Sequence, residues 1–425
     1  MGKDVLRVGA VGCGNIFNYG HMPMYPEIEG ARLVAFYDVD VKQAQRAKER
    51  YAQMLQKVIE EKPAIPEIYT WRWVSPDEIA ENLRENMAEL RIYENPEDLL
   101  GNVDIVDVCT PPKWHVEYAV MTLERNVNAM TEKPMGRTWW EARKVRGVVA
   151  KSRAFYQLND DNVFHPRFQI FKNVIEEGTI GEVKHIWLYR GSHGPETRAW
   201  FWNPEISGGG CLMDYGTHAV TTSWYLAGFD KMPVKVKSDS IKKSHKHRLI
   251  EGRLQSINVE DDAHVRILFE DPKNGNWITA SIEATWSRPL VGTGDPSFGF
   301  VRIEGTEGVA TGYQDEAGNN FVKVSRTGFG DKLVPVPRIE EERESMKNEI
   351  RSFVKSIEEG RPSLCNEEIG IGTMEILGAA YLSEVKGRVS LSLEEFKEFC
   401  EDFGKKYPNE KAPSAIIQYL MQPYQ

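Results

Sequence analysis

The sequence predicts an α/β fold in two parts: a doubly wound parallel sheet, followed by an α+β part with a large, mostly antiparallel, open sheet. Three observations lead to this prediction. The chain has 425 residues, more than one hydrophobic core usually accommodates. Short apolar runs alternate with helical stretches up to about residue 155. Beyond that point, segments such as HVRILFE and NWITASIEATWS alternate apolar and polar residues, as antiparallel strands do.

The first apolar run, VLRVGAV, is typical of a buried parallel strand and leads into Gly12-Cys13-Gly14. In the Rossmann pattern G-x-G-x-x-G, the first glycine allows a tight turn and the second lets the backbone approach a pyrophosphate. N–H groups at the start of the following helix then bind the phosphates. Phe17 stands where the pattern has a third small residue, which weakens the motif or displaces the helix outward.

The second apolar run, ARLVAFYD, ends in Asp38, twenty-four residues after Gly14. The dinucleotide pattern has an acidic residue about 20 residues downstream, hydrogen-bonded to the ribose hydroxyls. A carboxylate there would repel the 2′-phosphate of NADP, so the sequence favours NAD. The alternative is that Asp38 only starts a turn.

Two further strands end in polar residues. VDIVDVCT stops at Thr110-Pro111, and VNAMTE leads into Glu132-Lys133-Pro134, with a helical stretch from His115 to Arg125 between them. Ligands of doubly wound sheets bind at the carboxyl ends of the strands, so these residues are expected to share one crevice with the glycine turn and Asp38. Residues 42–95 are predicted to form a helical insertion.

Residues 208–218 read GGGCLMDYGTH, and a helix starting near Cys211 would carry Asp214 and His218 on one face, one turn apart. The glycines would let another chain segment or a ligand approach the backbone closely. The alternative is a loop followed by a helix whose histidine is satisfied in the core.

Composition excludes several other functions. The net charge of −10 argues against nucleic-acid or anionic-membrane partners, and no apolar run is long enough to span a membrane. Five scattered cysteines give no zinc-binding spacing, so no metal site is predicted, and they suit a reducing cytoplasm.

The predicted organisation is a nucleotide-binding domain (1–155), an α+β substrate and oligomerisation domain (156–390) and a helical tail (391–425).

Together these motifs resemble the Gfo/Idh/MocA oxidoreductases, the family of glucose–fructose oxidoreductase and inositol 2-dehydrogenase. The resemblance rests on GCGNI (12–16), Asp38, TPPKWH (110–115), EKP (132–134) and GGGCLMDYGTH (208–218). Further matching segments are VEDDAHVRILFE (259–270), EGTEG (304–308) and SEVKGRVSL (383–391).

The resemblance implies a catalytic set of Lys133, Asp214 and His218, and a cis peptide bond between Lys133 and Pro134. It implies NAD as cofactor and a homodimer or homotetramer formed through the open sheet. The cofactor-binding residues that follow are Gly12, Gly14, Asn15, Ile16, Asp38, Thr110, Pro111, His115, Glu132 and Lys133.

The chain departs from the family pattern at two places. Thr221 stands where the family often has an aspartate, and the stretch LNDDNVFHP (158–166) carries Asp160 and Asp161 where basic residues are common. The second departure changes the charge of the expected substrate pocket, so no single relative supplies the substrate. The candidate substrate-binding residues are Asn162, His165, His193, Arg198 and Trp200.

The predicted function is NAD-dependent oxidation of a secondary ring hydroxyl of a sugar, cyclitol or sugar derivative. His218 would take the hydroxyl proton, Asp214 would hold the imidazole tautomer or a substrate hydroxyl, and Lys133 would stabilise the reacting oxygen. One alternative is a lyase or glycoside hydrolase that uses bound NAD for transient oxidation. The other is a non-catalytic sugar or nucleotide sensor.

Overall fold

The computed structural model describes residues 5–61, 76–288, 300–337 and 341–425, so residues 62–75 of the predicted insertion lie outside the described part. The first sheet has six strands in the order β3-β2-β1-β4-β5-β6, and every neighbouring pair is parallel. This is the doubly wound order, and the prediction of a Rossmann sheet is confirmed. The strands are β1 (Leu6–Val11), β2 (Ala31–Tyr37), β3 (Arg91–Ile92), β4 (Ile105–Val108), β5 (Asn128–Glu132) and β6 (Tyr156–Asn159).

The connection from β1 to β2 is irregular. A π-helix (Phe17–His21) and a 3₁₀-helix (Met22–Glu27) replace a regular α-helix there. Phe17 is fully buried and its ring meets that of Phe36 edge-on, with centroids 6.1 Å apart. The bulky residue at the third position of the glycine motif is therefore a core residue.

Helices α1 (Val41–Glu61), α2 (Pro76–Glu89), α3 (Pro96–Leu100), α4 (His115–Glu124) and α5 (Trp139–Val149) complete the first part. The described residues of the segment 42–95 form α1 and α2, which agrees with the predicted helical insertion, but they also supply β3, the edge strand of the sheet. Strand β6 begins at residue 156 and pairs with β5, so the parallel sheet takes its last strand from beyond the predicted domain boundary. All four residues of β6 are buried, as in a parallel strand covered on both faces.

The second sheet has nine strands in the order β16-β15-β14-β13-β7-β12-β11-β8-β17. Its pairs are antiparallel except for β7 with β12, which confirms the predicted, mostly antiparallel sheet. The strands are β7 (Val183–Gly191), β8 (Met232–Lys242), β11 (Asp262–Glu270), β12 (Trp277–Thr285), β13 (Phe300–Gly305), β14 (Gly308–Gln314), β15 (Asn320–Arg326), β16 (Gly330–Pro335) and β17 (Leu391–Ser392). Strands β9 (His247–Ile250) and β10 (Arg253–Ser256) form a separate hairpin.

Helices cover one face of this sheet, where alternate residues of the central strands, such as Ile186, Ile267 and Ile282, are buried. Before the tail, the helices that contact the sheet are α7 (Pro166–Glu176), α9 (Cys211–Ala227) and α11 (Glu367–Val385). Three more helices pack on other helices instead: α6 (Asp161–Phe164), α8 (Pro204–Ser207) and α10 (Glu341–Glu359), the last of which lies against the connection from β1 to β2. The tail forms α12 (Leu393–Gly404) and α13 (Ala412–Leu420), which pack on α5 and α11 of the same chain. Among the described helices, none is long and apolar enough to cross a membrane.

The glycine run before α9 is packed against other chain segments. A Cβ at Gly208 (φ +86°) would lie 2.7 Å from the carbonyl oxygen of Arg137, and one at Gly210 would overlap the carbonyl oxygen of Glu260. The buried Glu260 carboxylate also accepts hydrogen bonds from the N–H groups of Gly210 and Leu212. The close approach thus fixes the start of α9 against Glu260, two residues before β11.

Replacing Gly210 by Ala is expected to lower the free energy of unfolding by about 1–3 kcal/mol, because the added methyl group must displace backbone. Denaturant unfolding followed by circular dichroism measures the change. Gly147→Ala in α5 is the matched control, since a Cβ there meets nothing within 4 Å. It is expected to raise the stability by about 0.5–1 kcal/mol, the helix-propensity gain. Equal gains in both variants would contradict the packing argument.

Candidate functional site

A cavity of about 760 Å³ lies at the carboxyl ends of the parallel strands, against the start of α9. Its wall combines residues from the strand ends with residues from the second part of the chain. The predicted site residues in this wall are Gly14, Asn15, Ile16, Thr110, Pro111, Glu132, Lys133, Arg198, Trp200, Asp214 and His218. Three of the four predicted strand ends therefore meet in one crevice, whereas Asp38 at the end of β2 and Gly12 lie outside its wall.

Lys133 and Asp214 form an ion pair in this wall. The Lys133 ammonium donates to Oδ1 of Asp214 at 2.7 Å, and both side chains are largely buried. Trp286 Nε1 lies 3.3 Å from Oδ2 of the same carboxylate. The Lys133–Pro134 peptide bond is cis, as the resemblance implied. The Asp214 carboxylate is thus held by Lys133 and Trp286.

His218 is held by a residue that the sequence did not assign. Its Nδ1 lies 2.7 Å from Oδ1 of Asp160, which directly follows β6, and 3.5 Å from Oδ1 of Asp161. Of the two roles expected for Asp214, holding the imidazole is corrected, because its carboxylate accepts a hydrogen bond from Lys133 and it is Asp160 that lies on the imidazole. Its second expected role, holding a substrate hydroxyl, stays a prediction. The only signal in the sequence was the acidic pair itself, noted as a departure from the family pattern.

Burial and neighbouring charges move the pKa values of these groups in different directions. Burial lowers the pKa of His218 well below its usual value, and the Lys133 and Arg190 cations lower it further. Burial raises the pKa of Asp160 to about 6. Burial opposes the charge on both Lys133 and Asp214, but their mutual attraction outweighs it, raising the pKa of Lys133 and lowering that of Asp214. At neutral pH, His218 is uncharged while Lys133 keeps its proton.

The glycine turn has the form that a dinucleotide site needs. Gly12 has φ +91°, and a Cβ there would lie 2.8 Å from the Thr110 backbone nitrogen. A Cβ at Gly14 meets nothing within 4 Å, which leaves the backbone open to a ligand. Asp38 accepts a hydrogen bond from the Cys13 N–H at 2.8 Å, so the acidic residue lies beside the turn at the end of β2.

His115 has a structural position. Its Nδ1 lies 2.7 Å from the Pro134 carbonyl oxygen and its Nε2 lies 2.6 Å from the Thr110 carbonyl oxygen. The ring is buried and burial lowers its pKa. His115 therefore joins the loops that follow β4 and β5, and it does not belong to the cavity wall. The cofactor contact predicted for it stays a prediction.

The predicted substrate residues divide into two groups. Arg198 and Trp200 are in the cavity wall, where the Trp200 ring stacks on Phe201 with centroids 3.7 Å apart. The other three lie outside the wall. His165 is buried and its Nδ1 accepts a hydrogen bond from the N–H of Arg167 at the start of α7, Asn162 is buried, and His193 is exposed.

The sequence missed several residues of the wall. Arg190 at the end of β7 lies over the ring of Tyr215, 4.9 Å from its centroid, and the Tyr215 hydroxyl donates to Ser192. Asp161 also lines the cavity. Arg190 belongs to no quoted motif, and Tyr215 lies within GGGCLMDYGTH at a position to which the sequence analysis gave no role. The wall therefore carries both cationic and anionic groups around a set of aromatic rings.

The family comparisons agree with this architecture. Residues 73–159 match an oxidoreductase family with an NAD-binding Rossmann fold, and residues 168–311 match the GFO/IDH/MocA C-terminal domain. A solved structure of levoglucosan dehydrogenase in complex with NADH and L-sorbose aligns over 92% of this chain and 100% of that chain, with a TM-score of 0.70. At 19% identity, this similarity establishes the fold.

Curated relatives include two dehydrogenases. The D-glucoside 3-dehydrogenase of Escherichia coli is 26% identical over 237 residues, which are 54% of this chain and 56% of that protein. The levoglucosan dehydrogenase of Pseudarthrobacter phenanthrenivorans is 26% identical over 290 residues, 61% of this chain and 72% of that protein. An alpha-N-acetylgalactosaminidase of Shewanella oneidensis is 25% identical over 183 residues, 43% of this chain and 34% of that protein.

The two matched domains cover more than half of the chain, and the strand order and glycine turn of the structure agree with them. The chain spans just over half the length of the Escherichia coli relative. It belongs to the GFO/IDH/MocA family of oxidoreductases, and its N-terminal part is the family's NAD-binding Rossmann fold.

Proposed function

We propose that this protein is an NAD-dependent dehydrogenase that oxidises a secondary ring hydroxyl of a sugar, cyclitol or sugar derivative. The observation that carries the proposal is the pair of 2.7 Å contacts in one cavity, Lys133 with Asp214 and His218 with Asp160. Oxidation of an alcohol needs a base for the hydroxyl proton and a donor for the developing alkoxide. The NAD-binding domain supplies the binding site for the hydride acceptor.

His218 acts as the base in this proposal. Its Nδ1–H donates to Asp160, which leaves the lone pair of Nε2 for the substrate hydroxyl. Since burial and nearby cations keep the ring neutral, Nε2 is ready to accept a proton at neutral pH. The Asp160 carboxylate then stabilises the imidazolium that forms, so Asp160 is a positioning residue.

Lys133 acts as the charged donor. Because Asp214 holds it in the protonated form, its ammonium can hydrogen-bond to the substrate oxygen as negative charge develops there. NAD, when bound, accepts the hydride from the carbinol carbon. The Gly12–Gly14 turn and the wall residues Thr110, Pro111 and Glu132 would hold the cofactor against the substrate.

The wall composition supports a polyol substrate. Trp200 and Phe201 offer flat apolar faces, while Arg190, Arg198 and Asp161 offer hydrogen-bonding groups of both charges. Sugar rings present both kinds of surface, and the two dehydrogenase relatives are named for sugar substrates. The same cavity would serve the second candidate, an NAD-assisted glycoside hydrolase, which the Shewanella relative favours.

The proposal extends to assembly and location. The uncovered face of the second sheet carries half-buried residues such as Trp187, Phe300 and Arg302. Aromatic and arginine side chains are enriched in protein interfaces, which supports a homodimer or homotetramer formed through this face. The proposal includes a cytoplasmic location, because the five scattered cysteines suit a reducing compartment.

Replacing His218 by Asn is expected to lower kcat for NAD reduction by about 10²–10⁴-fold, because the general base is lost. Absorbance of reduced nicotinamide is followed with NAD and a panel of cyclitols, hexoses and uronates. His264→Asn on β11, away from the cavity, is the matched control and is expected to keep full activity. Substrate cleavage with release of a leaving group and no net NADH would instead support the hydrolase.

Activity is expected to fall as pH falls through about 6. Above that pH, Asp160 is ionised and holds the Nδ1–H of His218; below it, the protonated carboxyl no longer does so. Asp160→Asn is expected to lower kcat by about 10²-fold or more with little change in KM, and to abolish this acid limb. Asp239→Asn, an exposed carboxylate paired with Arg266, is the control. An unchanged pH profile in Asp160→Asn would exclude the positioning role.

Asp38→Asn is expected to weaken NAD binding by about 10–100-fold, because a hydrogen bond to a charged group contributes about 1.5–3 kcal/mol. Affinity for NADP should fall less or rise, since the repulsion of its 2′-phosphate is removed. Titration calorimetry with both cofactors measures the ratio, and Asp40→Asn in the same turn is the control. Equal losses for both cofactors would show that Asp38 serves only to hold the Cys13 N–H.

A further inference from the structure

A second group of polar side chains lies next to the cavity. Two of its members, His21 and Glu349, have no part in the proposed reaction, and the third, Glu132, is also a residue of the cavity wall. His21 is the last residue of the π-helix, Glu132 ends β5 and Glu349 lies in α10. One nitrogen or oxygen atom from each lies within 4.8 Å of the others. His21 and Glu349 are buried, whereas Glu132 is partly exposed in the cavity wall.

The imidazole of His21 has a fixed orientation. Its Nδ1 lies 2.9 and 3.0 Å from the two carboxylate oxygens of Asp107, and the Tyr25 hydroxyl donates to the same carboxylate at 2.7 Å. Nε2 points the other way, 2.9 Å from Oε1 of Glu132 and 4.0 Å from Oε1 of Glu349. A carboxylate on one ring nitrogen is the arrangement that orients metal-binding histidines in proteins.

Glu349 is the independent observation that points to a ligand. Its side chain is 1% exposed, and neither of its carboxylate oxygens has a hydrogen-bond partner among the residues that the structure describes. Burying a carboxylate without hydrogen-bond donors costs several kcal/mol, so such groups are normally paired or bound to a cation. The Nε2 atom of His21 lies 4.0 Å from its Oε1, which is too distant for a hydrogen bond.

The atom spacing suits a small divalent ion. Zinc binds imidazole nitrogen and carboxylate oxygen at about 2.0–2.2 Å, which puts neighbouring tetrahedral ligands roughly 3.3 Å apart. The separations of 2.9 and 4.0 Å from His21 Nε2 lie on either side of that value. An imidazole in the set favours zinc or a similar transition metal over calcium or magnesium. The opening of the cavity at Glu132 supplies a route of entry.

We propose that His21, Glu132 and Glu349 bind one divalent transition-metal ion, with zinc the best match. Two carboxylates and a neutral imidazole balance the charge of the ion, and the Asp107 carboxylate orients the histidine. Three protein ligands leave a fourth position for water or a ligand oxygen. The sequence offers no metal-binding spacing because the ligands come from distant segments, with His21 and Glu132 separated by 111 residues.

The test uses the full chain, stripped with a chelator and titrated with Zn²⁺ by calorimetry, with metal content measured by mass spectrometry. The wild type is expected to bind one equivalent. Glu349→Gln, which keeps the side-chain shape, is expected to weaken binding at least 100-fold. Asp107→Asn is expected to weaken it by about 10–100-fold, as for other residues that orient a ligand. Glu344→Gln, on the same helix and paired with Lys347, is the matched control and should bind as the wild type does.

Two results would overturn the proposal. No binding by the wild type in tenfold excess of Zn²⁺ would leave His21 as a buried imidazolium shared by Asp107 and Glu132. Binding that Glu349→Gln retains and His218→Asn loses would place the ion at the other acid–histidine group, formed by Asp160, Asp161 and His218. Thermal melting of each variant without metal checks that it folds. If Glu349→Gln fails to fold, His21→Gln is expected to show the same loss of binding.

Discussion

The candidate site depends on a match between two spacings. Neighbouring β-strands lie about 4.8 Å apart, and residues four apart in an α-helix are separated by about 6 Å along its axis. Helix α9 passes the ends of the adjacent strands β5 and β6 and brings Asp214 to Lys133 and His218 to Asp160, both at 2.7 Å. One turn of α9 therefore contacts residues at two strand ends. Since α9 starts at the glycine run packed on Glu260, that packing sets the position of both pairs.

Burial makes the pairing obligatory. Four side chains of the site are largely removed from water: Lys133, Asp214, His218 and Asp160. An isolated charge buried in this way costs several kcal/mol. Each of them has a partner from the other part of the chain, which ties the parallel sheet to α9. Removing one member would leave the other unpaired in the wall. The two parts of the chain are thus held together by the same contacts that make up the candidate site.

The sequence predicted what depends on local patterns. The glycine turn, the strand ends and the i, i+4 spacing of Asp214 and His218 are encoded within short segments, and the structure has them at the expected places. It did not predict which acid serves which base, because Asp160 lies 58 residues from His218 and the choice is made by strand order. The burial of Phe17 against Phe36 and the pairing of β6 with β5 also depend on tertiary packing, so no local pattern predicted them. Helices α12 and α13 pack on α5 and α11 of the same chain, and no local sequence pattern predicts these contacts.

The two pairs also explain how neighbouring groups can take opposite roles at one pH. Burial alone would push both Lys133 and His218 towards the neutral form. The Asp214 carboxylate reverses this for Lys133, so its pKa rises, whereas the protonation of His218 is opposed by the nearby Lys133 and Arg190 cations. Asp160, with its pKa raised to about 6 by burial, is ionised at neutral pH and accepts the Nδ1–H of the uncharged His218. Titratable groups whose pKa values are driven apart by their surroundings act as acid and base respectively. In this cavity that separation makes Lys133 the donor and His218 the acceptor, and the reaction proposed here needs one of each.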